Sequence, residues 1–197
     1  MVQKCLIQDQ MSMKYPAGEK IDYSPPENFD PGRIRYEPFF RKMYGNTKNE
    51  VVSNLVTINW MPKTVNKPIF VTKVNGVDLK LQKISDELDK LPDEIKEYAK
   101  DIAAFMWRNI QGAKRLSMHS FGIAIDINSK HLNYWQWSKP DKTGRYLYEN
   151  KIPFEIVRIF EENGFIWGGR WYHFDTMHFE YRPELLLNNN QSSSASG

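Results

Sequence analysis

A chain of 197 residues, 41% hydrophobic and 26% charged, has the size and balance of one globular domain with an extension, which excludes wholesale disorder and a membrane-spanning class. Its net charge of +3 comes from 27 basic and 24 acidic residues scattered along the sequence, so it pulls only mildly toward anionic partners such as nucleic acid or cell wall. The single cysteine, Cys5, excludes an internal disulfide and a cysteine-rich zinc site, so any metal must be held by histidine and carboxylate.

Residues 1–48 contain Pro16, Gly18, Pro25, Pro26, Pro31, Gly32 and Pro38 without a sustained period, which predicts an irregular arm laid over the domain and anchored by Phe29, Tyr36, Phe39 and Phe40. The domain proper is expected over residues 49–187. Residues 51–60 and 69–81 alternate β-branched with polar side chains, and Asn75-Gly76 is a two-residue turn signal, so strands and a hairpin are expected. Ser85, ahead of Asp86 and Glu87, begins a run with Leu88, Leu91, Ile95, Tyr98 and Ile102 that predicts helix, divided by Pro92.

After Gly122, residues 123–127 (IAIDI) predict a short strand that carries Asp126. Pro153 followed by Phe154, Ile156, Val157, Ile159 and Phe160 predicts a helix closed by Asn163-Gly164. Strand, loop and strand are expected over 165–181. The tail at 188–197 (NNNQSSSASG) is polar and of low complexity, has nothing to bury, and is expected to be disordered. No stretch approaches the ~20 apolar residues of a membrane span, and the first fifteen residues are too polar for the core of a signal peptide.

Chemistry concentrates in two segments, 117–126 (SMHSFGIAID) and 171–180 (WYHFDTMHFE). A catalytic zinc generally takes three protein ligands and keeps a position for water; His119, Asp126 and His178 are such a donor set. Their spacing differs from the helical His-Glu-x-x-His pattern, so the geometry expected is a loop histidine, a strand aspartate and a third ligand from a neighbouring strand. Asp175, three residues before His178, is a candidate general base. Arg108 is placed just after a helical stretch, as a candidate to bind a substrate carboxylate or stabilise an oxyanion.

His173 stands five residues before His178; in an extended strand this puts the two on opposite faces, so His173 is read as lining the substrate cleft or supporting the site from behind. His131 is read as a surface residue. Tyr134, Trp135, Trp137, Trp167, Trp171 and Tyr172 fit a sugar or peptide groove and fit a small core equally well. Gly168-Gly169 fits either close backbone approach at the cleft or a plain turn.

The pattern Ser-x-His-x-x-Gly-x-Ala-x-Asp in SMHSFGIAID, followed by Asp-x-x-His-Phe-Glu in DTMHFE, resembles the zinc peptidases that include VanY-like D-Ala-D-Ala carboxypeptidases and L-alanyl-D-glutamate endopeptidases. The resemblance covers about residues 100–185. It implies a small α+β domain with a central antiparallel sheet flanked by helices, and one zinc ion per chain on His119, Asp126 and His178. It also implies Asp175 as the catalytic base, with Arg108 and Ser117 contacting substrate or supporting the site.

In that family the base is Glu in many carboxypeptidases and Asp in the endopeptidase branch, so Asp175 points toward cleavage of L-Ala-D-Glu in peptidoglycan stem peptides. D-Ala-D-Ala carboxypeptidase and a catalytically inactive zinc-bearing wall-binding module are the alternatives; a nucleic-acid partner is not expected. A cell-wall substrate implies a periplasmic or secreted protein, its leader missing from the chain as given.

Overall fold

In an antiparallel pair, residues directly opposite one another point to the same side of the sheet, and successive residues alternate between sides. The segments AIDI and HFEY obey this rule in opposite senses at once: Asp126, His178 and Glu180 lie on one face, while Ile125, Ile127, Phe179 and Tyr181 turn to the other and join the hydrophobic core. One strand pair therefore carries both a polar site and half of a core.

The computed structural model describes residues 6–20, 24–127 and 133–186; Cys5, His131 and the tail at 188–197 lie outside these. Helices α1 (Ile7–Gln10), α2 (Glu37–Tyr44) and α3 (Lys48–Val52) precede strands β1 (Leu55–Trp60) and β2 (Lys67–Thr72). Helices α4 (Val77–Leu88) and α5 (Asp93–Lys96) come next, then strands β3 (Ile102–Ala103) and β4 (Ala124–Ile127). Helix α6 (Phe154–Glu162) and strands β5 (Phe165–Trp167) and β6 (His178–Tyr181) complete the order. Strands β1 and β2 form a two-stranded antiparallel sheet, and the other four form an antiparallel sheet in the order β3-β4-β6-β5. This is the expected α+β architecture.

Helix α6 buries Ile156, Val157, Ile159 and Phe160, a stripe at helical spacing, and Phe160 stacks on Phe179 of β6 with ring centroids 4.0 Å apart. Helix α4 buries Val77, Leu81, Ile84 and Leu88 along a matching stripe and packs against β1 and α6. Trp60, fully buried at the end of β1, donates its indole N–H to the carbonyl of Ala99 at 2.8 Å. Burying a side chain of this kind contributes about 1.5–3 kcal/mol, so the α4–α6–β6 core is the main stabilising mass beneath the polar face.

Several local expectations are corrected. Asn75-Gly76 does not turn a hairpin; Asn75 (φ 58°) and Gly76 (φ 67°) lead into α4, and the β1–β2 connection runs through residues 61–66, where Met61 and Asn66 adopt positive φ. The left-handed pair is the same in both settings, and the helical spacing of Val77, Leu81, Ile84 and Leu88 makes the next element a helix. Ser85 does not precede a helix but lies buried inside α4, where its hydroxyl accepts from the Met61 amide at 2.6 Å and so satisfies the β1–β2 connection. The helical run ends before Ile102, which pairs in β3 with Ile127. Arg108 thus comes after a strand and an extended segment, not a helix.

Of the arm's described residues, Ile7–Gln10 and Glu37–Tyr44 are helical, while 11–20 and 24–36 are irregular. Residues 29–35 lace onto the segment after β5. The Pro31 carbonyl accepts the Trp171 indole N–H at 2.6 Å, the Tyr172 amide donates to the Phe29 carbonyl, and the Gly32 carbonyl accepts from Arg182. Phe40 is buried in the core and Phe39 packs against it. Farther back, Tyr15 is fully buried, donating its hydroxyl to Glu161 at 2.6 Å and accepting the Trp167 amide at 2.8 Å, while Arg170 pairs with Glu161 on both carboxylate oxygens.

Burial, then the Glu161 charge, push the Tyr15 hydroxyl well above its ordinary pKa. A raised folded-state value favours the protonated form, so this contribution to stability is fully present below about pH 10 and is lost as pH rises beyond it. Tyr15→Phe is expected to lower stability at pH 7 by about 0.5–1.5 kcal/mol per hydrogen bond lost and to flatten the decline between about pH 9 and 11. Urea unfolding across that range checks both effects.

Candidate metal centre

Residues 118–121 form one tight helical turn closed by Gly122, whose φ is +69° and whose carbonyl accepts the Thr72 amide at 3.1 Å; a Cβ there would come 2.9 Å from that amide nitrogen. Any side chain at 122 would be both strained and obstructed. Ser117 opens the turn by accepting the His119 amide, and Ser120 fastens it to the neighbouring segment, accepting from the Arg108 amide at 2.9 Å and donating to the Arg108 carbonyl at 2.8 Å. The buried His119 ring then meets Asp126 of β4 and His178 of β6, which face each other across the strand register.

One donor atom from each of His119, Asp126 and His178 lies within 4.8 Å of the others. The far side of each imidazole is already engaged. His119 Nδ1 is 2.8 Å from the carbonyl of Ala104, which can only accept, so Nδ1 carries the proton and Nε2 presents a lone pair. That Nε2 lies 3.1 Å from Asp126 Oδ2 yet makes no hydrogen bond and is sealed from solvent. His178 Nε2 is 3.0 Å from Glu180 Oε2, leaving Nδ1 toward Asp126 Oδ1 at 2.9 Å. Histidines held from behind by a carbonyl and a carboxylate, with their remaining nitrogens converging on a second carboxylate, are what a cation site requires.

The charges agree. Burial alone would raise the Asp126 pKa, but His119 and His178 hold it well below the usual carboxylate range. Burial alone would lower that of His178; its hydrogen bonds to Asp126 and Glu180 outweigh this and push it up to about 9. Glu180, against the same burial, is held well below its ordinary value by Arg35 first, then by His178 and Arg182. Arg35, Arg182 and His178 thus gather around the buried Glu180 carboxylate.

Asp175 lines the same cleft, of about 200 Å³, with His119, Asp126 and His178. Its amide donates to Gly168 and its carbonyl accepts the His178 amide, so the backbone fixes it relative to the third ligand. A Cβ on Gly168 would come within 2.5 Å of the Asp175 carbonyl oxygen, so Gly168 serves close backbone approach here. The carboxylate Oδ1 is sealed and has no hydrogen-bond partner, and burial, opposed by the His178 charge, raises its pKa to about 6.

Ser117, Arg108 and Tyr134 also line the cleft, Arg108 as an exposed side chain at its edge and Tyr134 with its backbone bridged to Asp175. His173 is not among the lining residues; Asp30 holds its Nδ1 at 2.6 Å and its amide at 2.9 Å. Among the aromatics, Trp167 and Trp171 are buried, while Trp137 stands exposed beside Tyr134. Trp171, one of the groove candidates, lines the cleft; sequence reasoning missed Arg33 and Arg35 there, and Glu180 and the Ala104 carbonyl as supports. Arg33 lies in a turn closed by its amide on the Asp30 carbonyl, and nothing local in the arm says where Arg33 and Arg35 face.

Residues 111–181 match the model of the peptidase M15 group described as D-alanyl-D-alanine carboxypeptidase. By that match the chain is a peptidase. The resemblance carried by SMHSFGIAID and DTMHFE is borne out over the same stretch, whereas the arm and Arg108 lie outside it. No curated protein and no solved structure matches the peptidase.

Titrating divalent zinc into the metal-stripped peptidase is expected to raise its thermal midpoint in a concentration-dependent way, equivalent to about 2.7 kcal/mol when the free ion reaches about a hundred times Kd. His119→Ala and Asp126→Ala are expected to abolish that response, as scanning calorimetry with and without chelator would show.

Proposed function

We propose that the peptidase is a zinc-dependent hydrolase of peptidoglycan stem peptides, acting outside the cytoplasm as an L-alanyl-D-glutamate endopeptidase. The observation that carries the reading is the unpartnered, sealed Oδ1 of Asp175 in the same cleft as the converging nitrogens and carboxylate of the triad. No helix among the described residues is long and apolar enough to cross a membrane. The D-Ala-D-Ala carboxypeptidase reading stands second, favoured by the description of the matching family model.

Zinc held by His119, Asp126 and His178 would supply Lewis acidity, polarising the scissile carbonyl and bringing the pKa of water down to about 7. Asp175 takes the proton of the attacking water at its carboxylate and passes it to the leaving amine nitrogen as the C–N bond breaks. A carboxyl already raised toward neutrality by burial is suited to both halves of that transfer. Arg108, at the edge of the cleft, offsets the negative charge that grows on the carbonyl oxygen. Ser117 keeps the His119 turn in place, and Tyr134 lines the peptide path.

Asp175→Ala is expected to lower kcat by about 10²–10⁴-fold with zinc content unchanged. Mass spectrometry of digested stem peptides reads the bond: separation of L-Ala from the D-Glu-containing remainder supports the endopeptidase, and loss of terminal alanine the carboxypeptidase. Full turnover by Asp175→Ala would defeat the assignment of the base.

A further inference from the structure

Beyond the segment matched by the family model, the arm sends two arginines into the metal cleft, and they differ in one respect. Arg35 is neutralised in a bidentate pair with Glu180, at 3.2 Å through Nε and 2.5 Å through Nη2. Arg33 forms no ion pair within 4.0 Å among the described residues. Its Nη1 donates to the neutral carbonyl of His173 at 2.7 Å, and its guanidinium carbon lies 5.2 Å from the Trp171 ring centroid. The nearby Asp30 is engaged by His173.

A guanidinium offers five N–H donors in a planar fork. For Arg33 one is engaged; Nε and Nη2 make no hydrogen bond to the described residues, and neither is sealed from solvent. Burial and the charge of Arg35 weigh against Arg33 staying charged, and Asp30 and Asp175 favour the charge only from a distance, so the site holds a cation with no carboxylate bound to it. Arg33 and Asp175 line the same cleft, so the guanidinium and the base both face the space where a scissile bond must lie.

We propose that Arg33 is a substrate-binding residue that receives the free α-carboxylate of the residue on the leaving side of the scissile bond. This rests on the peptidase reading given above. The chemistry is shared by both candidate bonds. In D-Ala-D-Ala the leaving alanine carries a terminal carboxylate, and in L-Ala-D-Glu, where the chain continues through the γ-carboxyl, the leaving glutamate keeps its α-carboxylate free. Arg33 thus makes the arm part of the specificity machinery, selecting an anionic leaving residue, while Arg108 serves the carbonyl oxygen.

The test uses the zinc-loaded full chain with matched stem pentapeptides whose glutamate α-carboxylate, or terminal carboxylate, is free or converted to carboxamide. The wild type should favour the free acid at one of these two positions, and which position tells the two sources apart. Arg33→Gln should remove about ten- to a hundredfold of kcat/KM on the free acid, mainly through KM, and change the carboxamide less than about threefold. Arg33→Lys should restore part of the preference. Equal losses on both peptides, as expected if Arg33 only props the His173 carbonyl, or no loss at all, would overturn the proposal.

Calorimetric binding of the same peptides to Asp175→Ala, with and without Arg33→Gln, reads the preference without turnover. Preference retained there without wild-type cleavage would sink the bond assignment and leave the Arg33 role standing. No preference in binding would sink the Arg33 role itself.

Discussion

Everything in the site depends on the register between β4 and β6. Asp126 stands opposite His178 and Ala124 opposite Glu180, so one pairing sets two donors face to face and puts the carboxylate that orients His178 directly behind it. A slip of one residue would send His178 and Glu180 into the core and Phe179 into the cleft. The stacking of Phe179 on Phe160 resists that slip, which couples the α6 core to the geometry of the polar face.

The remaining parts are held to that frame by backbone contacts. Strand β3, paired to β4, leads to the Ala104 carbonyl that fixes the His119 tautomer, and Gly122 returns the His119 turn to the sheet. Gly168 and the His178 amide hold Asp175 on the opposite side. Buried polar groups arranged this way raise the energy of alternatives, because each displaced partner leaves an unsatisfied donor or acceptor. The sealed Nε2 of His119 and Oδ1 of Asp175 are exceptions, and both residues line the same cavity.

Much of this was legible in the sequence where local chemistry and fold agree. The Ile123–Ile127 run became β4, the proline-led stripe from Phe154 became α6, and the three candidate ligands came together. The errors arose where one signal serves two structures. Asn75-Gly76 suits a hairpin or a helix entry, and Ser85 suits a helix cap or, as found, a buried bond to the Met61 amide. The arm was harder still: its ties to Trp171, Tyr172, His173, Glu180 and Arg182 join residues far apart in the chain and leave no periodic trace.

X-ray absorption at the zinc edge of the zinc-loaded protein tests the central claim most directly. A metal centre built on the β4–β6 register predicts two imidazole ligands, oxygen donors completing the shell and no sulfur, with one imidazole contribution lost in His178→Ala. Sulfur in the shell, or an unchanged spectrum in that variant, would contradict it.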